Sequence, residues 1–284
     1  MRLATIVTAG ATVAARVEDD TVIELDAIDL GALLQRTDWR AAATAADGRR
    51  HQLDQIRFAP VIPAPRKIIC VGLNYLDHIR ETGLEAPVHP TLFTKFAATL
   101  CGAHDDLVLP SCSDMIDWEV ELAFVIGKRG RHVSEDRAMA HIAGFTVVND
   151  VSVRDWQRRT SQWDQGKNFE ATTPLGPVLV TPEACDGAAD LRISCTVDGV
   201  VVQDSRTSQL LFSPAALLSY ISTFTTLGPG DVISTGTPSG IGASMTLPTF
   251  LRAGQVVEAT VEGIGSCRNL CLSSEATSIV TTNR

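Results

Sequence analysis

The sequence predicts an α+β protein in which strands dominate. After residue 67, eight short runs rich in Val, Ile, Leu and Thr are interspersed irregularly with four helical patterns. This order disfavours a doubly wound sheet of regular βαβ units and favours a strand-dominated α+β domain. The length of 284 residues and the hydrophobic content of 45% allow one large domain, or one large and one small, with a sizeable core.

The first 60 residues predict a small N-terminal domain. Three alternating runs predict strands, with a turn at Asp19-Asp20 before the third, and two short helical patterns follow. The strands are Leu3–Val7, Thr12–Val17 and Thr21–Leu25, and the helices are Ala27–Leu34 and Trp39–Ala46. Prolines at positions 60, 63 and 65 predict an extended linker over residues 59–65, so the main domain covers residues 61–284.

The main domain is predicted to carry strands at 67–71, 118–126, 143–148, 177–181, 192–197, 199–203, 231–235 and 256–261. Its predicted helices lie at 75–82, 134–141, 151–159 and 213–223. The dipeptide Asp198-Gly199 between two strands is typical of a tight hairpin turn. The Ser/Thr-rich end, residues 273–284, predicts a loose tail.

Charge and cysteine content narrow the possible partners and location. The net charge is −9 and no block of Lys or Arg occurs, which argues against nucleic acid and anionic membranes as partners. No apolar run is long enough to span a bilayer. The seven Cys residues are odd in number and include no CxxC pair, so we expect reduced thiols and a cytoplasmic protein.

The most informative segment is Asp117–Ile126, which alternates as a strand does. Its apolar residues share one face, so Glu119 and Glu121 point together to the other, roughly 7 Å apart. Two carboxylates at this spacing repel each other unless a cation lies between them. The alternative interpretation is the solvated face of an edge strand.

A third carboxylate, Asp150, ends a second apolar run that begins at Ala143. Three carboxylates from two strands, with no Cys or His nearby in the sequence, suit a hard cation that prefers oxygen ligands. The sequence therefore predicts a site for a divalent cation such as Mg²⁺ or Mn²⁺ at Glu119, Glu121 and Asp150, with Ca²⁺ as a further candidate.

A candidate general base lies in the first helix of the main domain. His78 and Glu81 are three residues apart and therefore share a helix face. A carboxylate beside an imidazole raises its basicity and sets its tautomer, as a base that activates water requires. Gly83 could end this helix, which would then be a short lid; the alternative is an ordinary surface His–Glu pair.

Two further clusters could bring positive charge and hydrogen-bond donors to the metal site. In a helix after Asp150, Arg154 and Gln157 would lie on the same side as that carboxylate and could orient a substrate carboxylate or carbonyl. Lys167 could neutralise the acidic residues or polarise a substrate oxygen. In the alternative, Arg154 pairs with a surface acid and Lys167 is a solvated surface charge.

The glycine-rich segment 228–242 lacks the sequence of a phosphate-binding loop and of a dinucleotide site. A strand that leads into Gly-Thr-Pro-Ser-Gly predicts a rigid turn with exposed amides and the Thr237 hydroxyl. Such a turn could hold an enolate or carboxylate oxygen, and it could equally be a plain β-turn. Trp156, Trp163 and Phe169 could line an apolar pocket or serve only in packing.

Between Lys67 and Asn269 the chain resembles the fumarylacetoacetate hydrolase family. The resemblance rests on five segments in a fixed order: Asn-Tyr-x-Asp-His-x-x-Glu at 74–81, Asp-Trp-Glu-x-Glu at 117–121, Asn-Asp-Val-Ser-x-Arg-Asp at 149–155, Gly-Lys-x-Phe at 166–169 and Gly-Thr-Pro-x-Gly at 236–240. It implies a mixed β-sandwich roll, a small α/β N-terminal domain, a homodimer and one divalent metal ion, usually Mg²⁺, in each active site.

The resemblance also implies roles for individual residues. Glu119, Glu121 and Asp150 match metal ligands, His78 and Glu81 match a dyad that activates water, and Lys167 matches a lysine beside the metal. The positions implied to contact substrate are Arg154, Gln157, Thr237 and, through a resemblance of Leu92–Phe96, Lys95.

The implied substrate is a small 2-oxo acid. Among the reactions that the resemblance allows, we expect hydrolysis, which cleaves a C–C bond of an acylpyruvate through an enolate stabilised by the metal ion and Lys167. The same chemistry allows two alternatives: decarboxylation of a substrate such as oxaloacetate, and keto–enol or double-bond isomerisation with related hydratase or lyase reactions. A non-catalytic β-sandwich that binds a cation or a sugar is the competing class.

Overall fold

The structure is a computed structural model, which describes residues 1–83 and 85–274. Its strands are, in chain order, β1 Arg2–Thr8, β2 Ala11–Glu18, β3 Thr21–Glu24, β4 Arg50–Gln52, β5 Arg57–Phe58, β6 Ile68–Gly72, β7 Thr91–Lys95, β8 Leu100–Cys101, β9 Leu107–Leu109, β10 Ile116–Asp117, β11 Val120–Ile126, β12 Ile142–Asn149, β13 Ser152–Val153, β14 Thr173–Val180, β15 Arg192–Val197, β16 Val200–Arg206, β17 Val232–Ser234, β18 Val256–Val261 and β19 Gly265–Ser273.

The α-helices of the described residues are α1 Leu30–Leu34, α2 Trp39–Ala45, α3 Leu76–Thr82, α4 Glu135–Ala138, α5 Arg154–Gln157, α6 Asp164–Lys167 and α7 Pro214–Phe224. Strands therefore dominate, and the predicted fold class is confirmed. None of these helices is both long and apolar enough to cross a membrane.

Two sheets form the body of the molecule. The larger has the order β4-β3-β2-β1-β14-β12-β11-β17-β6-β7, with β5 on β1 and β8 on β14, and the smaller has the order β16-β15-β18-β19-β9. Most neighbours are antiparallel, but β17–β6, β14–β8 and β19–β9 are parallel, so both sheets are mixed. The predicted turn at Asp198-Gly199 joins β15 to β16, and both residues have positive φ angles, as this turn requires.

The main core lies between the two sheets, because apolar residues of β11 and β12 pack on those of β15, β18 and β19. The alternation of β11 explains its part in this core. Trp118, Val120, Leu122, Phe124 and Ile126 all lie in the main core, as the sequence predicts. Ala123 and Val125, on the opposite face, belong to a second core formed with α1 and α2. Both faces of β11 are therefore covered, and the whole strand is buried.

The first 60 residues extend the larger sheet, since Leu3 of β1 pairs with Leu179 of β14. Residues 59–65 contain no helix or strand, in line with the predicted linker. The division into two domains at residue 60 stays a prediction. The unpredicted strand β19 ends at Ser273, where the predicted tail begins, and residues 275–284 lie outside the described part of the chain.

The order of the strands brings distant parts of the sequence to one edge of the large sheet. The antiparallel pair β11–β12 places the start of β11 beside the end of β12, through the pair Val120–Asn149. The parallel strands β17 and β6 also end at this edge, with Ser234 opposite Cys70. The loop after β17 and the helix α3 after β6 therefore meet the residues that flank β11 and β12.

Candidate active site

Three carboxylates form a buried cluster at this edge. Glu119 precedes β11, Glu121 lies within it, and Asp150 follows β12, with one oxygen from each lying within 4.8 Å of the others. The amide of Asp150 donates to the carbonyl of Glu119 at 2.8 Å, which holds the two chain segments together. The three side chains belong to residues at most 6% exposed. The alternative of a solvated edge strand is therefore wrong, because β11 lies between β12 and β17.

Two buried lysines neutralise part of this carboxylate cluster. The Nζ atom of Lys167 lies 2.5 Å from Glu119 Oε2 and 2.8 Å from Asp150 Oδ2. The Nζ atom of Lys95 lies 2.7 Å from Asp150 Oδ1 and also donates to the carbonyl of Lys167. Burial alone would lower the pKa of Lys167, but Asp150 and Glu119 raise it above its usual value, so this lysine stays charged. The alternative of a solvated Lys167 is wrong.

Glu121 is the member of the cluster without a cationic partner in the described residues. Its Oε2 atom accepts hydrogen bonds from the Ser234 hydroxyl and, at 2.9 Å, from the Gly236 amide. Burial, together with repulsion from Asp150 and Glu119, raises the pKa of Glu121 to about 8. Burial would also raise the pKa of Asp150, but its two lysines lower it to about 2. The cluster thus retains a carboxylate that lacks a positive charge.

These residues fit a divalent metal ion. The cluster offers three carboxylate oxygens within reach of one ion, and the raised pKa of Glu121 shows that a further positive charge would be favourable there. All three candidate ligands are hard oxygen donors of the kind that Mg²⁺, Mn²⁺ and Ca²⁺ prefer.

Arg154 is buried beside the cluster and is held on several sides. Its Nη1 atom lies 2.6 Å from Glu119 Oε1 and 3.0 Å from Gln157 Oε1, while its Nε atom donates to Asp117 Oδ2 at 2.8 Å. The alternative of a surface ion pair is therefore wrong. The helix predicted over 151–159 is also wrong in part, because β13 precedes the four-residue helix α5. Pairing with Asp117 and Glu119, rather than helical spacing from Asp150, brings Arg154 to the cluster.

His78 and Glu81 lie together on α3, as the spacing predicts. The Nδ1 atom of His78 is 2.9 Å from Glu81 Oε2, and Glu81 Oε1 accepts from the Gly240 amide at 2.9 Å. Burial would raise the pKa of Glu81, but the hydrogen bonds from His78 and Gly240 lower it below its usual value, so this carboxylate is ionised at neutral pH. Gly83 ends the helix in a left-handed conformation. The carboxylate thus holds His78 by Nδ1 and leaves its Nε2 free of this contact.

The glycine-rich turn supports the cluster from the other side. Gly236 has a φ angle of 95°, and a Cβ atom there would lie 2.7 Å from the carbonyl oxygen of Val71, so no other residue fits without displacement. The hydroxyl of Thr237 donates to the carbonyl of Val120 at 2.9 Å and accepts from Gln203 Nε2 at 2.9 Å. Its proton is thus directed to the backbone, and the turn anchors β11 at the start of the cluster.

A cleft of about 460 Å³ opens above these groups. Of the residues predicted to act in the site, His78, Glu119, Glu121, Arg154, Gln157, Lys167 and Thr237 line it. The cleft wall does not include Lys95, whose side chain is fully buried behind Asp150. Trp163 belongs to the cleft wall, whereas Trp156 packs edge-on against Phe169 with ring centroids 5.3 Å apart.

Sequence reasoning missed several residues of this site. Asp117 accepts from Arg154 and from the amides of Gly242 and Ala243 at 2.7 and 2.9 Å, so it ties α5 to the glycine-rich loop. Arg158 also lines the cleft. The available signal for Asp117 was its place in the segment Asp-Trp-Glu-x-Glu at 117–121, whereas no pattern in the sequence points to Arg158.

Comparison with known proteins agrees with this geometry. A family model described as fumarylacetoacetate (FAA) hydrolase C-terminal matches residues 67–271. A human protein named oxaloacetate tautomerase FAHD2A, mitochondrial, is 46% identical over 213 residues, which are 74% of this chain and 68% of the human protein.

Two solved structures with the same fold are named for different reactions. A fumarylacetoacetate hydrolase from the psychrophile Exiguobacterium antarcticum matches with a TM-score of 0.87 and 31% identity, covering 96% of this chain and 99% of that one. A 5-carboxymethyl-2-hydroxymuconate delta-isomerase from Mycobacterium smegmatis matches with a TM-score of 0.81 and 33% identity, covering 96% of this chain and 100% of that one.

The relatives correct one prediction. The human relative is mitochondrial by name, so the prediction of a cytoplasmic protein is wrong on this comparison. That prediction rested on unpaired cysteines, and all seven are indeed free in the structure, six of them buried. Free thiols report reducing conditions, and they do not distinguish one reducing compartment from another.

Proposed function

This chain belongs to the fumarylacetoacetate hydrolase family, and on that premise we propose that it catalyses keto–enol tautomerisation of a small 2-oxo acid of the oxaloacetate type. The observation that carries the proposal is a single acid–base pair: His78, held by Glu81, lines the same cleft as Glu119 and Glu121 of the buried carboxylate cluster. Tautomerisation moves one proton between carbon and oxygen, and one such pair is enough for it.

The proposed base is the Nε2 atom of His78. Glu81 is ionised and accepts from Nδ1, which selects the tautomer whose Nε2 carries a lone pair. That lone pair removes a proton from C3 of the 2-oxo acid, and the electron pair of the broken C–H bond moves towards the 2-oxo oxygen. The imidazolium that forms returns this proton to the 2-oxo oxygen, which completes the enol and regenerates the neutral imidazole, and the reverse sequence restores the ketone.

Lys167 supports the oxygen on which negative charge develops. An ammonium group has three donors, and two of those on Lys167 are engaged by Glu119 and Asp150, which leaves the third for a substrate oxygen. We propose Mg²⁺ as the metal ion, held by the carboxylate cluster; when bound, it would act as a Lewis acid towards the 2-oxo acid. Arg154 and Gln157 lie at the same wall of the cleft and are the proposed donors to the substrate carboxylate.

The names of the relatives favour proton transfer over C–C bond hydrolysis as the leading candidate. The human relative is named a tautomerase, and one similar structure is named an isomerase; both reactions move a proton and use no water. Hydrolytic cleavage of an acylpyruvate, the reaction favoured from the sequence, becomes the second candidate. The similar structure named a fumarylacetoacetate hydrolase supports it.

The proposal is tested by following the enol of oxaloacetate by its ultraviolet absorbance as it relaxes to the keto form. Wild type with Mg²⁺ is expected to accelerate this relaxation, and treatment with EDTA or the change His78→Ala should remove most of the acceleration. Mn²⁺ and Ca²⁺ in place of Mg²⁺ identify the preferred ion.

Coupled assays on the same samples separate the other reactions. Release of pyruvate from acylpyruvates would establish the hydrolase, and release of carbon dioxide from oxaloacetate would establish a decarboxylase. If the protein accelerates neither the relaxation of the enol nor the release of pyruvate or carbon dioxide, the proposal is rejected. The homodimer implied by the resemblance also stays a prediction, which sedimentation of the full chain can test.

A further inference from the structure

Arg158 is a cleft residue that the proposed reaction does not use. It follows α5, where its amide donates to the carbonyl of Arg154 at 3.1 Å, so the two arginines are one helical turn apart. Both line the cleft. Arg154 is buried, whereas Arg158 is exposed at the cleft mouth, and its guanidinium has no hydrogen bond or ion pair with the described residues.

Arg154, the buried member of this pair of arginines, has a guanidinium nitrogen without a hydrogen-bond partner in the described residues. The Nη2 atom of Arg154 is buried and has no hydrogen-bond partner in the described residues, although the other guanidinium nitrogens are engaged. A buried charged donor without a partner is costly, and a ligand carboxylate is the group that best satisfies a guanidinium. The cleft therefore has a place for one carboxylate near the cluster.

The balance of charge shows that a second carboxylate needs another cation. Four buried carboxylates, those of the cluster and Asp117, face three buried cations, namely Lys95, Lys167 and Arg154. With all four carboxylates ionised, as they would be around a divalent ion, the two charges of the ion and the three cations exceed the four negative charges by one. A substrate with one carboxylate neutralises this charge, whereas a dicarboxylate leaves a further negative charge inside the cleft.

We propose that Arg158 binds the second carboxylate of a 2-oxo dicarboxylate and so determines the specificity of the cleft for such substrates over monocarboxylates. The inference rests on the proposed function for the reaction, but the binding step can be measured without turnover. A guanidinium at the cleft mouth can meet the end of a substrate whose 2-oxo acid end lies at the carboxylate cluster.

The kinetic test compares two substrates that differ in one charge: oxaloacetate and its 4-methyl ester. In Arg158→Ala, the ratio of kcat/KM for oxaloacetate to that for the ester is expected to fall by about 10- to 100-fold, mainly through KM. Arg158→Lys keeps the positive charge, so the ratio should fall less than it does in Arg158→Ala. Equal losses on both substrates, or an unchanged ratio, would overturn the proposal.

Arg159→Ala is the matched control, because it removes the same charge from the adjacent position. The guanidinium of Arg159 lies over the ring of Trp156, with its carbon 3.5 Å from the ring centroid, and Arg159 is not among the residues of the cleft wall. This variant should keep the wild-type ratio. A fall equal to that of Arg158→Ala would mean that general surface charge, and not a contact with Arg158, selects the substrate.

Calorimetry separates this inference from the proposed reaction. With Mg²⁺ present, N-oxalylglycine and N-methyloxamate offer the same oxalyl amide, but only the former has a second carboxylate. Wild type should bind N-oxalylglycine about 10- to 100-fold more tightly than N-methyloxamate, and Arg158→Ala should lose this preference. If wild type shows the preference without any tautomerase activity, the proposed reaction fails while the role of Arg158 stands; no preference in wild type overturns that role.

Discussion

The Nζ atom of Lys167 lies 2.8 Å from Asp150 Oδ2, with both side chains at most 2% exposed. This ion pair is part of the carboxylate cluster, so an internal cation already balances some of its charge before a metal ion binds. The same lysine is a proposed donor to the substrate oxygen. We therefore expect stability, metal binding and catalysis to be coupled through this one ammonium group.

Lys167→Met is expected to destabilise the protein more in EDTA than in Mg²⁺. Without the lysine, Glu119 and Asp150 are left partly uncompensated in a buried site, and breaking such a pair costs about 3–5 kcal/mol. Thermal unfolding in EDTA and in saturating Mg²⁺ measures this, and the gain in Tm from Mg²⁺ should exceed that of wild type. Lys67→Met is the control, because its ion pair with Asp231 lies outside the cleft wall. Equal gains in both variants would contradict the prediction.

Glu121→Gln should abolish metal binding while it preserves the fold. In the metal-free protein the pKa of Glu121 is about 8, so the side chain is protonated at neutral pH and Gln is its close analogue. The Gln carbonyl can still accept from Ser234 and Gly236. We expect an unchanged Tm in EDTA, no stabilisation by Mg²⁺ and loss of activity. A variant that still binds Mn²⁺ with wild-type affinity in calorimetry would argue against Glu121 as a ligand.

The raised pKa of Glu121 also predicts how metal binding depends on pH. Below about pH 8 the ion must displace a proton, so its apparent affinity should rise by roughly tenfold per pH unit and level off above pH 8. Calorimetry at pH 7 in two buffers with different heats of ionisation should detect close to one proton released per ion. If the metal ion binds without release of a proton, Glu121 is already ionised in the metal-free protein.

The same shift predicts the pH dependence of stability in EDTA. Because the folded state binds the Glu121 proton more tightly than the unfolded chain, with its pKa raised from 4.5 to about 8, its contribution to stability is complete below pH 4.5. That contribution is lost as the pH rises to about 8. The free energy of unfolding in EDTA should therefore fall across this range in wild type, and this component should be absent in Glu121→Gln.

The dyad on α3 should affect turnover without affecting metal binding. Removal of a general base typically lowers kcat by about 100- to 10,000-fold, and we expect His78→Ala to fall within this range. Glu81→Gln should lower kcat less, since it disturbs the orientation of the imidazole but leaves the base in place. Both variants should keep the wild-type dissociation constant for Mg²⁺. A large loss of metal affinity in His78→Ala would instead place the histidine among the ligands.

The carboxylate cluster could be predicted because its signals are local. Alternation around Glu119 and Glu121 defines the face to which they point, and Asp150 follows the next apolar strand. Antiparallel pairing of two consecutive strands then brings the residues together. The pair His78 and Glu81 was predictable for the same reason, since three residues of a helix separate them.

Other parts of the site depend on contacts between residues far apart in the sequence. Ser234 is 113 positions from Glu121, its partner, and Gly242 is 125 positions from Asp117. The position of Lys95 behind Asp150, and of Arg158 at the cleft mouth, follows from how whole strands and helices pack. No spacing in the sequence reports these relationships.

Periodicity over a few residues is enough to predict the strand-dominated class, the face of β11 that enters the core and the residue types of the candidate metal and acid–base site. Packing between distant segments determines which carboxylate has no cationic partner among the described residues, which lysine lies outside the cleft wall and which arginine lies at the cleft mouth. Burial and distance set the charge state of every such group, and both arise because β6, β12 and β17 end, and β11 begins, at one edge of the sheet.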